Sequence, residues 1–588
     1  MYSNIKSVQI LVDLMKQYEI HDVVLSPGGS DIPIIHSIET DNYFNCYSVV
    51  DERSAAYFAM GLSQQKARPV ACVCTSGTAV SNYVPGLTEA FYQNVSVLAI
   101  TADKNPYYQD QLETQKINQE GIFNGIVKKW VSLPVVHSED DEWLCNRLVN
   151  EALIELNHHG TGPVQINIPI VGATNIYDCR ELPCQRRMHL VTGFTDSETW
   201  KNYANKLATC KRIMVVVGQN LSFNEEEKKV LNAFFERYHC IYAIEHLSNL
   251  NCKGKIRTYP LTEMVGEGNI SDLAPEIVIS IGNNLAAYNL KPYLRKRYKN
   301  MSNWLVSENG VVRDAYRSLT DIFECSPVYF FEKMVEYAPK GSSESSYYDA
   351  WRKRERAVSL PELGFQNFLV GQELAKIIPA NSILHCAILN STRMIQFFDL
   401  AENVKCYSNV GALGIDGCFS SFAGQAAATK ELAFLLIGDL SFFYDMNAAG
   451  LRSIGNNVRV ILMNNGGGSE FHFFMGRKNI STIDDYICAQ HSKIAEGWIK
   501  SLGYKYFSAR NAKELKEALS QFGKKSDHPL FLEVFTKMEE DADKTKSLYY
   551  ESRTESEGKS TVKGMAKGLV KSVFSQDQIE HAKKILKK

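Results

Sequence analysis

Short β-branched runs alternate with stretches of helical period along most of this chain, and that rhythm constrains its fold more than any other feature. Runs such as VACVC (70–74) and VRVIL (458–462) are of strand length, and helix-length connections separate them. Such spacing implies βαβ units and parallel sheets rather than hairpins. The expected fold class is therefore α/β, with three doubly wound parallel-sheet domains.

The rhythm falls into three blocks. The first has candidate strands at 22–25, 46–50, 70–75, 95–101 and 164–168. The second has them at 212–217, 240–244 and 277–281, and the third at 382–386, 432–437, 458–463 and 530–534. Polar, irregular joins around 175–187 and 341–348 suggest domains at 1–180, 188–345 and 358–540. The charged, Ser/Thr-rich stretch 538–562 reads as a linker. Residues 565–588 read as a basic amphipathic helix that docks on its own protein, giving a tail at 541–588.

Bulk properties exclude several classes. Lys+Arg is 64 against 66 for Asp+Glu, so no basic field points to nucleic acid. No apolar run approaches the ~18 residues of a membrane span. The N-terminus lacks a signal-peptide pattern. The fourteen cysteines have irregular spacing and no CxxC, which suggests reduced, largely buried thiols and a cytoplasmic protein.

The stretch IGDLSFFYDMNAAGLRSIGNNVRVILMNNGGG (437–468) carries the strongest chemical signal. Asp439 closes one apolar run, and Asn464 and Asn465 close the next. In a doubly wound sheet both positions lie at the carboxyl edge, where ligands bind. A carboxylate, an amide oxygen and a glycine-run carbonyl make a hard oxygen set suited to Mg²⁺ with phosphate oxygens. The glycines let backbone approach a diphosphate closely. Read without that context, the same residues are a strand-end cap and an Asn-Gly turn.

This stretch resembles the signature of thiamine diphosphate enzymes, Gly-Asp-Gly followed one βα unit later by Asn-Asn. Leu440 stands at the third position, as tolerated in one branch, the 2-succinyl-5-enolpyruvyl-6-hydroxy-3-cyclohexene-1-carboxylate synthases of the menaquinone pathway. SNVGALGIDG (408–417), SPGGSDIP (26–33), VVDERSAAYFAMGLS (49–63), TSGTAVSNYVPGLTEA (75–90) and TADKNP (101–106) extend the resemblance over about 5–540. It implies thiamine diphosphate and Mg²⁺ as cofactors. It also implies an N-terminal pyrimidine-binding domain, a central domain, and a third domain that binds diphosphate and metal.

Residue roles follow from the resemblance. Glu52 matches the glutamate that hydrogen-bonds the pyrimidine N1′ and drives the imino tautomer; otherwise it is a helix N-terminal acid. Ile415 matches the aliphatic wedge that bends the coenzyme. Asp439, Asn465 and the Gly467 carbonyl match the metal ligands. Thr75, Gly77, Ser408, Gly438, Ser441 and Phe471 complete the expected cofactor contacts. Sites in this family lie between subunits, which implies a homodimer or homotetramer. RIMVVVGQN (212–220) is followed by no GxGxxG, so the central block is not expected to bind a dinucleotide.

The substrate half departs from the branch. Its arginines fall here at Ser30, Lys104 and Val410, and its Asn-Gln pair at Thr114-Gln115. Each charge-assisted contact is worth roughly 1.5–3 kcal/mol, so losing three would weaken anion binding by orders of magnitude. The reading is a paralogue that decarboxylates a 2-oxo acid and passes the acyl carbanion equivalent to an acceptor. Candidate substrate contacts are Ser30, Lys104, Gln115, Asn390, Ser391 and Arg393, with Asp31, Glu470 and Arg477 beside them. His472 is either a proton donor or an ordinary member of an aromatic cluster. The alternatives are the synthase itself, acting on 2-oxoglutarate and isochorismate, and an inactive cofactor-binding paralogue.

Overall fold

The computed structural model describes residues 1–550 apart from 173–174, 189–195, 220–222, 266–267, 288, 312, 340–345, 361 and 476–479. Its strands form three six-stranded sheets, and every strand pair in them is parallel.

The first sheet holds β1 (Asp22–Leu25), β2 (Asn45–Ser48), β3 (Val70–Cys74), β4 (Val97–Asp103), β5 (Lys129–Ser132) and β6 (Val164–Pro169), in the order β2-β1-β3-β4-β6-β5. The second holds β7 (Ile213–Val217), β8 (Ile241–Ile244), β9 (Lys255–Arg257), β10 (Ile277–Ile281), β11 (Ser302–Val306) and β12 (Leu319–Phe323), in the order β12-β11-β10-β7-β8-β9. The third holds β13 (Ile383–Cys386), β14 (Lys405–Tyr407), β15 (Ala433–Gly438), β16 (Val458–Asn464), β17 (Lys505–Ala509) and β18 (Leu530–Phe535), in the order β14-β13-β15-β16-β18-β17. Counted from its own first strand, the third sheet repeats the order of the first. The α/β architecture with three parallel sheets is therefore as expected from the sequence. The strands without a sequence expectation are β5, β9, β11, β12, β14 and β17, and all but β11 lie at sheet edges.

The first and third layers share one hydrophobic core, in which Phe58 and Leu62 meet Phe419, Phe422 and Leu435. Its centre is the crossing of the Glu52–Lys66 and Cys418–Ala427 helices. The two backbones nearly touch there. A Cβ on Gly61 would lie 2.0 Å from the Ser421 carbonyl oxygen, and one on Gly424 would lie 2.2 Å from that of Phe58.

One expectation is corrected. Residues 538–550, read as the start of a linker, form the Met538–Tyr550 helix. Met538, Ala542, Leu548 and Tyr549 are buried, and so is Asp541. Charged residues such as Glu539, Glu540, Asp543 and Lys544, which suggested a linker, are exposed, while the apolar residues and Asp541 pack inward. The expected amphipathic helix at 565–588 lies outside the described residues. The cysteines are free, and Cys72, Cys74, Cys386 and Cys406 are buried. Among the described residues no helix is long and apolar enough to cross a membrane.

Gly61→Ala is expected to destabilise the fold by about 1–3 kcal/mol, because a methyl group has no room at the crossing. Urea denaturation reads this directly, and wild-type stability in the variant would contradict so close a backbone approach.

Candidate active site

Asp439 follows β15 and is buried where the next crossover begins. Its Oδ2 accepts hydrogen bonds from three successive backbone amides, Asn465 at 3.1 Å, Gly466 at 2.8 Å and Gly467 at 3.1 Å. Its Oδ1 accepts from the Leu440 amide at 2.7 Å. The turn after β16 is thereby wrapped around one carboxylate. Gly466 and Gly467 have φ of +85° and +154°, values that glycine tolerates. A side chain at Gly467 would also meet the Cys488 carbonyl oxygen at 2.8 Å.

The two asparagines of the turn divide their work. Asn464 points into the protein and donates to Glu533 Oε1 at 2.7 Å. Asn465 donates through Nδ2 to Ser469 Oγ and to Asp541 Oδ2. Asp439, Asn465 and Gly467 are thus neighbours at one sheet edge, and a carboxylate, a carboxamide and a backbone carbonyl are oxygen types that could hold a Mg²⁺–diphosphate group. His491 has an Nε2 atom that is buried, has no hydrogen-bond partner, and lies 3.5 Å from Asp439 Oδ2. An orphaned polar atom aimed at this edge also fits a polar ligand there. Nothing in the sequence reading singled out His491.

The loop bearing Ile415 is held from several sides. Ser441, expected at the diphosphate, donates to the Ile415 carbonyl at 2.8 Å. Arg53 Nη1 donates to the Asp416 carbonyl at 2.7 Å, and the Tyr57 hydroxyl donates to the Asp416 carboxylate at 3.2 Å. Glu89, fully buried, accepts from the Gly411 amide at 2.9 Å, from the Ala412 amide at 2.7 Å and from Gln93. Burial raises the pKa of Glu89, and the Gln93 and backbone donors offset part of that rise. Asp445 is pushed up to about 7 by burial, against opposing hydrogen bonds from Ser420 and the charge of Arg53. Arg53, Tyr57, Glu89 and Asp445 were all missed, because each acts through contacts distant in sequence.

Glu52 begins the Glu52–Lys66 helix beside Arg53 and is half-buried. It accepts from Asn82 Nδ2 at 3.3 Å. Among the described contacts it makes no hydrogen bond to Asp439, Asn465 or Gly467. At the same sheet edge the Ser30 amide donates to Thr75 Oγ1 at 3.1 Å, and the Ser30 hydroxyl lies 3.1 Å from that of Ser76. The Gly77 amide donates to buried Gln119, and a Cβ on Gly77 would lie 3.3 Å from Gln115 Cα. Ser30, Thr75, Gly77 and Gln115 are therefore neighbours. Beneath them Asp31 is fully buried; its Oδ1 accepts from the Gly28 amide, and its Oδ2 has no partner. Burial, with a smaller contribution from nearby Glu52, pushes Asp31 up to about 7.

Lys104 and Arg393, two of the expected substrate contacts, and nearby Lys116 are paired with acids. Lys104 meets Glu113 at 2.9 Å, and buried Lys116 meets Asp103 at 2.8 Å. Arg393 is buried against Glu470 at 2.5 Å and also reaches Asn390 Oδ1. Asn390 donates to Ser469 Oγ, Ser391 is buried, and Ser408 Oγ pairs with Thr392 Oγ1. Gly438 has open space around it, and Phe471 is 38% exposed. His472, on the Ser469–Met475 helix, has Nε2 2.5 Å from Asp484 Oδ1 of the Ile483–Ile487 turn, so this nitrogen is engaged by a neighbouring segment. Arg477 lies outside the described residues.

Comparison with known proteins shows what the chain is similar to. The family model "Thiamine pyrophosphate enzyme, N-terminal TPP binding domain" matches residues 5–122. The chain is 36% identical to the 2-succinyl-5-enolpyruvyl-6-hydroxy-3-cyclohexene-1-carboxylate synthase of Bacteroides fragilis, across 94% of this chain and 100% of that one. It is 31% identical to the protein of that name from Porphyromonas gingivalis, across 93% and 97%. For the one from Flavobacterium johnsoniae the identity is 28%, across 91% and 97%.

The buried acid Asp31 makes a pH prediction. Its folded pKa of about 7 lies above the ordinary 3.8, so the stability it contributes is full below about pH 4 and is lost as pH rises through 7. Asp31→Asn removes that loss. The melting temperature of the variant is expected to exceed that of the wild type at pH 8 and to converge with it near pH 4. A difference independent of pH would contradict this.

Proposed function

Since the chain belongs to the thiamine pyrophosphate enzymes, on the branch of the 2-succinyl-5-enolpyruvyl-6-hydroxy-3-cyclohexene-1-carboxylate synthases, we propose that it decarboxylates a 2-oxo acid and transfers the remaining acyl unit, as its carbanion equivalent, to an acceptor. The observation that carries this reading is the Asp439–Asn465–Gly467 donor set at one sheet edge of a chain that also keeps Glu52 at a helix start. When bound, thiamine diphosphate supplies a carbon nucleophile at thiazolium C2 and a sink for the electron pair released with CO₂.

The residues of the chain do the rest. Asp439, Asn465 and the Gly467 carbonyl hold Mg²⁺, and with it the diphosphate. Glu52 holds a proton at the pyrimidine N1′, which makes the amino group a base toward C2. Ile415, on a loop fixed by Ser441, Arg53 and Glu89, would pack against the coenzyme and help to hold it in place. The family resemblance supports a homodimer or homotetramer, with each site completed by a second copy of the chain.

The pairing of Lys104, Lys116 and Arg393 with internal acids supports a substrate other than the branch's two anions. Binding a new carboxylate there means displacing an existing partner, which is costly where the pair is buried. A second reading, the synthase activity itself, is favoured by 36% identity along the full length of a relative with that name. Turnover of 2-oxoglutarate with isochorismate, set against CO₂ release from a panel of other 2-oxo acids, separates the two. Failure of every 2-oxo acid in the presence of thiamine diphosphate and Mg²⁺ would remove both.

Glu52→Gln is expected to lower decarboxylation by about 10²-fold or more, the usual scale of lost general acid–base catalysis, with an unchanged far-UV spectrum. Wild-type rates in that variant would refute the role given to Glu52.

A further inference from the structure

We propose that Asp541 is a positioning residue that orients the side chain of Asn465 toward the metal; the inference rests on the metal site described above. Asp541 sits in the first turn of the Met538–Tyr550 helix and is fully buried. Its Oδ1 accepts from the Asn367 amide at 3.0 Å, at the start of the Asn367–Ile377 helix. Its Oδ2 accepts from Thr536 Oγ1 at 2.6 Å and from Asn465 Nδ2 at 3.0 Å. The second hydrogen of Asn465 Nδ2 goes to Ser469 Oγ at 3.2 Å.

The logic is an inventory of donors. A carboxamide nitrogen has two hydrogens, and both are committed here. The amide oxygen, on the other branch of the same planar group, is left for a cation. The two ends of an asparagine side chain are nearly the same shape, so packing alone selects weakly between them. A carboxylate that accepts a hydrogen bond rejects the oxygen end and retains the nitrogen end. Without Asp541 the turn could present an NH₂ group to Mg²⁺, and a positive hydrogen does not ligate a cation. Partners behind a ligand typically govern metal affinity by about 10–100-fold.

Asp541→Asn isolates this role. The variant keeps its shape and an oxygen acceptor for the Asn367 amide, but sets an NH₂ group against Asn465 Nδ2. Calorimetric titration of Mg²⁺ into the full-length apoprotein with saturating thiamine diphosphate is expected to show Kd raised about 10–100-fold. Adding Asn465→Asp in the same chain restores a donor–acceptor pair in reverse and keeps an oxygen for the metal, so affinity is expected to recover. A merely structural role would show no such rescue. Should Asp541→Asn fail to fold, Thr536→Val, which loosens the Asp541 carboxylate, is expected to raise Kd several-fold. Unchanged Mg²⁺ affinity in the folded Asp541→Asn variant, or in Thr536→Val where that variant is the one tested, overturns the proposal. Asn465→Ala run in parallel distinguishes the two levels: if it too leaves Mg²⁺ affinity unchanged, the metal-site reading itself has failed.

Discussion

Two helices cross with their backbones in contact, and the candidate site is organised around that crossing. Gly61 and Gly424 remove the side chains that would hold the Glu52–Lys66 and Cys418–Ala427 helices apart. Close packing then brings the first turn of one helix against the loop preceding the other. Arg53 and Tyr57 reach Asp416 as a result, and the loop carrying Ile415 is clamped from the N-terminal layer. A wider crossing would break those hydrogen bonds together, since all of them depend on one interhelical distance.

Buried acids do a related job at the loops. Glu89, Asp439, Asp445 and Asp541 each gather backbone amides or side-chain donors from segments far apart in sequence. Burying a carboxylate is expensive, and several donors per group offset the cost. The outcome is a set of irregular loops held in single conformations at the sheet edge, where a flexible loop would lose ordering entropy on binding a ligand.

How much of this was legible in the residues depends on whether the signal is local. Buried central strands such as β3, β15 and β16 are mostly apolar, so their bounds are visible within a residue or two. Edge strands such as β5 and β17 are partly exposed, and their polar residues hide them. The 538–550 segment was misread for a similar reason. Its charged residues mask its buried ones, and only the packed helix shows which face turns inward. Asp439 and Asn465 stood out because a ligand-edge motif is written in consecutive residues. Asp541, His491 and Glu89 did not, because the partners that matter are far along the chain: Asp541 lies 76 positions from Asn465, and Glu89 lies 323 from Ala412.

The sequence by itself determined the class of sheet and the family, and it marked Asp439 and Asn465 as strand-end residues, because hydrophobic period and short motifs are properties of neighbours along the chain. Tertiary structure decided which way each group points. It turned Asn464 toward Glu533 and Asn465 toward Asp541, paired Arg393 with Glu470, and brought a helix read as a tail against Asn465. Orientation and pairing depend on what the folded chain places opposite a side chain, and that partner is seldom nearby in sequence.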